Sequence, residues 1–150
     1  VGTVVPYLTH VIGFCLLLVY LAMQGYFNLL WLWLPVIFFL QFLFTLGLVA
    51  MLSALCVFLR DLQQIVSLLV TIWFFLTPII YPITLIQSEG ARELFLFNPM
   101  HSFVNLYREI ILIGEFPLVN FQIILPVAFI TYLIGGWLFV RIKHAFGDVL

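Results

Sequence analysis

Residues 29 to 59 contain not one charged side chain. At 1.5 Å per residue a helix of that length exceeds the roughly 30 Å hydrocarbon core of a bilayer, so it spans one with tilt. A helix on the surface of a soluble domain needs a polar face, and this run offers none. The rest of the chain agrees. Of its 150 residues 66% are hydrophobic and 7% charged, with a mean hydropathy of +1.31. A water-soluble domain carries about 25% charged residues, so this is a membrane protein. Its net charge of −1 argues against a nucleic-acid partner.

Apolar runs of spanning length predict four transmembrane helices, at about 5–23, 29–59, 62–80 and 121–140. The predicted fold class is an all-α integral membrane protein, a single domain over 1–150, with a re-entrant helical hairpin at 94–113 between the last two spans. Cys15 and Cys56 sit inside apolar runs, far from metal-ligand spacing, and read as small packing residues. Val1 is not an initiator methionine and no basic segment precedes a cleavable signal, so the expectation is a processed chain or a fragment.

The stretch "FFLTPIIYP", Phe74 to Pro82, breaks a helix that hydrophobicity alone would continue. Pro78 and Pro82 each remove a backbone donor and crowd the preceding turn. Beyond a polar loop, Asn98-Pro99 reads as a helix start, with Asn98 as cap and Pro99 in the first turn. The helix that follows is too short to cross, and Gly114 and Pro117 stop it. Broken backbone at membrane depth must be buried by protein or border a water-filled cavity. The positive-inside rule fits this arrangement. Arg60, Arg141 and Lys143 fall on the cytoplasmic side, while Glu89, Glu93, Glu109 and Glu115 lie in the outer connection with Arg92 and Arg108.

Several residues admit two readings each. Arg108-Glu109 is a charged pair within an apolar stretch, either functional at membrane depth or solvated among headgroups. Arg60-Asp61 is either a solvated turn with Asp61 capping the next helix or a point that transmits cytoplasmic force. His10 reads as a packing or water-facing histidine in preference to a proton relay, because no acidic partner is visible in the spans. Gly47, Ala50 and Ala54 share a helical face and should let another helix approach closely. Trp31 and Trp33 read as an interfacial belt. Trp73, Phe74, Phe75, Tyr81, Phe95, Phe97, Phe103 and Tyr107 gather around the break, either as anchors or as flat faces along a permeation path. There is no phosphate-binding Gly-rich loop, no histidine pair at metal spacing and no nucleophile elbow, so neither catalytic nor metal residues are assigned.

Four ordered motifs then suggest a family. "ALCVFLRDLQQIV", "FFLTPIIYPITLI", "LFLFNPMHSFVNLYREIILIGEFP" and "FVRIKHAFGDVL" resemble, in order and spacing, the membrane-spanning subunit of type-2 ABC exporters. The similarity is greatest to the branch exporting lipid-linked polysaccharides such as O-antigen, capsule or teichoic acid. Leu59 stands where the family usually has Phe, and Gly147 where it commonly has Ala. The resemblance implies a homodimeric permease in the bacterial inner membrane, a lipid-linked glycan substrate and contact with membrane lipid. It implies a separate cytoplasmic ABC ATPase subunit that holds ATP and Mg, with no cofactor on this chain and no enzymatic activity of its own. It further implies a translocation path and outer gate formed by Trp73, Phe74, Phe75, Pro78, Tyr81, Pro82, Phe97, Asn98, Pro99, Tyr107, Arg108 and Glu109, with cytoplasmic coupling at Arg60 and Asp61. Family members carry an interfacial helix, two spans and a coupling helix ahead of the region matched here, so the chain is expected to be the C-terminal part of a permease. The competing classes are a membrane assembly protein or truncated remnant that moves nothing, and a small-molecule secondary transporter. The second usually shows internal repeats and paired ionisable residues, and neither is visible here.

Overall fold

The computed structural model describes residues 4–56, 61–79, 95 and 98–142, and every element among them is helical. Helix α1 (Val4–Met23) leads through a turn into a 3-10 segment (Leu29–Trp33) and α2 (Leu34–Cys56). Helix α3 (Leu62–Leu76), α4 (Pro99–Arg108) with a π turn at its end (Glu109–Ile113), and α5 (Leu118–Ile142) follow. Among the described residues, three helices are long and apolar enough to cross a membrane: Val5–Met23, Leu29–Cys56 and Leu118–Ile142.

The expected third span at 62–80 is shorter in the structure. Helix α3 has 15 residues, about 22 Å at 1.5 Å per residue, which is less than the hydrocarbon core. It stops one residue before Pro78. Thr77 turns extended at φ −95° and ψ 123°, as the residue before a proline must. The second span departs from a uniform helix at its start, where Leu29–Trp33 winds as 3-10 before α2 begins with Pro35 in its first turn. The last span is longer than 121–140. It starts directly after Pro117 and runs through Pro126, which lies exposed within the helix.

The turn after α1 closes at Gly25, whose φ of 89° is open to glycine at little cost. The Tyr26 amide donates back to the Leu21 carbonyl at 3.1 Å.

Helices α2 and α5 form the central pair, and their contact is set by two glycines. A Cβ added to Gly47 would lie 2.5 Å from the Thr131 carbonyl, and one added to Gly135 would collide with the Gly47 carbonyl. Small residues let backbones approach where lipid supplies no hydrophobic drive for helix association. The expected close approach at Gly47 is therefore real; Ala54 is fully buried as well, while Ala50 is only half-buried. Trp33 packs on Phe121, with ring centroids 5.8 Å apart, one end above the glycine crossing. Both registers advance together, so α2 and α5 run parallel. Helix α4 runs against α2: Phe103 meets Phe44 at 5.7 Å, Tyr107 meets Phe38 at 6.3 Å, and Ile110 reaches Asn28 ahead of α2. The core gathers Ile37, Leu40 and Phe44 of α2, Phe103, Leu106 and Ile110 beside them, and Ile124 and Ala128 of α5. Trp31 is partly buried against this core.

Candidate functional site

Asn98 is the joint on which the broken segment turns. Its Oδ1 accepts from the Met100 amide at 3.1 Å, capping α4 with Pro99 in the first turn as the sequence predicts. The same oxygen accepts from Trp73 Nε1 at 2.9 Å, and Asn98 Nδ2 donates to Thr77 Oγ1 at 3.1 Å. Thr77 Oγ1 in turn donates to the Trp73 carbonyl at 2.9 Å. One amide thus ties the end of α3 to the start of α4, across the segment the prolines break. Thr77 and Pro78 are both buried there. A small cavity of about 180 Å³ lies beside the joint, with Trp73 and Phe74 on one wall and Met100 and Val104 on the other. Phe75 packs edge-on against Phe74 at 5.5 Å.

Helix α4 borders a larger groove of about 590 Å³ that it shares with α1 and α2. Phe14, Phe103 and Tyr107 supply flat walls, and the polar side chains are His10, Gln41, Tyr107 and Arg108. Tyr107 donates its hydroxyl to Gln41 Oε1 at 2.6 Å. Burial first, and then the nearby Tyr7, push that hydroxyl's pKa up, so it remains a donor. Arg108 is exposed and donates from Nη2 to the Ile79 carbonyl at 3.4 Å.

Arg108 and Glu109 do not pair with each other among the described residues. Successive helical positions do not face one another, and Glu109 is absent from the groove lining. Desolvation, then Glu115, raise the Glu109 carboxyl above its usual range. His101 is buried, and burial followed by Arg108 lowers its pKa. Its Nε2 meets Asn105 Nδ2 at 3.2 Å.

The C-terminal end of α4 is clasped separately. The π turn closes with the Gly114 amide on the Glu109 carbonyl at 2.8 Å, and Gly114 takes φ 80°. Asn28 Nδ2 donates to the Ile110 carbonyl at 2.9 Å, joining the α1–α2 connection to this turn.

The structure therefore brings together Trp73, Phe74, Pro78, Asn98 and Pro99 at the joint, and Tyr107 and Arg108 in the groove. Asp61 is exposed at the far end of α3, at the N-cap position, with no side-chain capping bond. Arg60, Tyr81, Pro82 and Phe97 lie outside the described residues. Gln41, His10, Asn28 and Thr77 complete these contacts without having been singled out as site residues; the signal in Gln41 is an amide in a charge-free run. Among the described residues, no three His, Cys, Asp or Glu side chains gather as metal ligands.

A family model described as ABC-2 type transporter matches residues 1–112. The O-antigen export system permease protein RfbA of Myxococcus xanthus is 51% identical over 77 residues, covering 51% of this chain and 30% of that protein. The protein of that name from Klebsiella pneumoniae is 32% identical over 124 residues, covering 82% of this chain and 48% of its own length. The chain spans about half or less of the length of the curated relatives it matches. No solved structure matches it.

Proposed function

The chain belongs to the ABC-2 type transporter family, and from that premise we propose that it forms part of a permease exporting O-antigen-type polysaccharide across the bacterial inner membrane. The observation that carries this reading is the groove against α4. It joins flat aromatic walls to a few polar groups, a surface over which sugar rings slide without being held by many fixed bonds. The relatives named as O-antigen export permeases support the choice of cargo. The chain works as one of two copies beside a cytoplasmic ATPase subunit that binds ATP and Mg, and the substrate arrives linked to a lipid.

The finer topology belongs to the same proposal. Because α2 and α5 run parallel, the chain between them makes a net single crossing. Helix α3 makes that crossing together with the residues after Leu76, and 94–113 enters and leaves by the outer face. The packing of α4 against the Leu34–Phe44 half of α2 supports this, as does the clasp from Asn28. At the opposite end Arg141 lies 5.0 Å from the Trp137 ring centroid, a cation–aromatic pair suited to the cytoplasmic interface.

The test uses the full-length permease gene in a strain lacking its own copy. Surface polysaccharide should return with the wild-type gene and vanish when the ATPase genes beside it are deleted. Export that persists without any such ATPase overturns the reading. A single cysteine at Ser88 should react with an impermeant thiol reagent added from outside; labelling only after permeabilisation overturns the topology.

A further inference from the structure

We infer that Gln41 is a positioning residue for export: through the Tyr107 hydroxyl it holds α4 in register on α2 and keeps the groove beside them open. The inference rests on the export reading and adds a residue on which that reading depends. Helix α2 has three side chains that carry a hydroxyl or an amide, Gln41, Thr45 and Ser53. Thr45 Oγ1 donates to the Gln41 carbonyl at 2.8 Å, and Ser53 Oγ to the Ala50 carbonyl at 3.0 Å. Both are thus satisfied within their own helix. Gln41 is the one of the three that reaches another helix, accepting from the Tyr107 hydroxyl at 2.6 Å. Among the described residues, no other side-chain hydrogen bond joins α2 to α4.

The rest of the contact between these helices is apolar, with Phe103 on Phe44 and Leu106 in the same core. Between membrane helices such contacts carry little hydrophobic drive, and a sliding helix exchanges one apolar neighbour for another. A hydrogen bond has a partner and a direction, so it fixes register. Asn98 ties the start of α4 to α3, and Tyr107 ties its end to α2. The second bond also aims a ring. Tyr107 stands edge-on to Phe14 of α1 at 5.4 Å and to Phe38 of α2 at 6.3 Å. Edge contacts tolerate a broad range of ring positions. The hydroxyl lies on the axis about which the ring flips, so its bond to Gln41 permits flipping and prevents swinging about χ1. Held this way, the ring forms a wall of the groove that Phe14 and Gln41 also line. Released, it swings into the space that the export reading gives to sugar rings.

The test compares Gln41→Leu, Tyr107→Phe, the double variant and Gln41→Glu in the full-length permease. Two quantities are read: amide hydrogen exchange over 99–113 in purified protein in nanodiscs, and surface polysaccharide per folded molecule in cells lacking their own copy. Each single variant should speed exchange there and lower export per folded molecule about fivefold, the scale of one neutral hydrogen bond. The double variant should be no worse than either single, because both remove the same bond. Gln41→Glu keeps an acceptor oxygen at the same reach, protonated or ionised, and should recover most of both quantities. A role in packing alone predicts no such recovery. Unchanged exchange over 99–113 in both single variants overturns the inference. So do additive losses in the double variant, or Gln41→Glu no better than Gln41→Leu. Wild-type export in every variant overturns it too and leaves the export reading intact. If exchange responds as expected while the wild-type full-length protein exports no glycan, the export reading fails and the hold of Gln41 on α4 stands.

Discussion

Trp73 Nε1 and Asn98 Oδ1 lie 2.9 Å apart, joining two helices that a proline-broken stretch separates in sequence. The bond matters because the same oxygen caps α4. Capping and inter-helix attachment therefore cannot be lost separately at Asn98. Asn98→Ala removes a cap worth about 1 kcal/mol and leaves the Trp73 N–H without its partner, which costs about 1–3 kcal/mol when buried. Trp73→Phe removes only the donor. The double variant should be less destabilised than the sum of the two singles, since no orphaned N–H remains. Thermal unfolding of the four full-length forms in detergent measures this, and strict additivity would contradict the shared joint.

Much of this joint was legible in the chain. Asn-Pro after a polar loop is a cap signal with a local mechanism, and the residue before Pro78 is forced extended whatever surrounds it. The glycine crossing was legible on one side only: Gly47 sits on a small-residue face, while Gly135 has Gly136 beside it and no spacing to say which one faces α2. Long-range pairings were not legible. The Tyr107–Gln41 and Asn28–Ile110 bonds join residues 66 and 82 positions apart. Their existence depends on the direction in which α4 runs, which periodicity does not encode. The pair Arg108-Glu109 was misleading in another way, because adjacency in sequence places the two side chains apart on a helix.

The two glycines make a prediction with built-in controls. Gly47→Ala and Gly135→Ala each push a methyl into backbone atoms of the facing helix, which cannot move as a side chain can. Overpacking of this kind costs about 1–3 kcal/mol or more. Gly136→Ala and Gly13→Ala meet nothing within 4 Å and should be neutral or slightly stabilising. Folded yield and melting temperature of the four variants decide it; equal loss at Gly136 and Gly135 would refute the crossing.

At the clasp on the π turn, Asn28→Ala frees the Ile110 carbonyl, and loss of a typical hydrogen bond of this sort costs about 0.5–1.5 kcal/mol. Asn28→Asp should be worse, because a carboxylate has no donor to offer a carbonyl. Hydrogen exchange at Gly114, whose amide closes the π turn, should accelerate in both. Unchanged protection would show that the clasp does not hold the turn.

Glu109 sets a pH dependence. Desolvation, and then Glu115, raise its native pKa above the unfolded value, so the native state binds the extra proton. Stability is then greatest below the ordinary carboxylate range and falls as pH rises through the raised value. Glu109→Gln mimics the protonated form and should flatten that part of the curve, with a higher melting temperature than wild type at neutral pH. Melting temperatures between about pH 4 and pH 7 test it. A parallel curve for Glu109→Gln would mean that the carboxyl is solvated in the assembled permease.

Phe74 gives the cleanest test of the aromatic path. Trp73 and Tyr107 are tied by hydrogen bonds to Asn98 and Gln41, so replacing either with Ala disturbs folding and transport together. Phe74 is 46% exposed and its ring packs on Phe75 beside the small cavity next to the joint. Phe74→Ala removes a face that is already half open, so little buried apolar area is lost and folded protein should stay near the wild-type level. If the ring lines the route of the glycan, export per folded molecule should fall several-fold, because a flat stacking surface is worth about 1–3 kcal/mol by alanine substitution in other ring-stacking sites. Phe74→Trp, which keeps a flat face, should restore it. The measurement is surface polysaccharide divided by folded permease from the same cells. Export per folded molecule unchanged in Phe74→Ala would assign this aromatic to helix anchoring in the bilayer and move the path to the groove on the α1 side of α4.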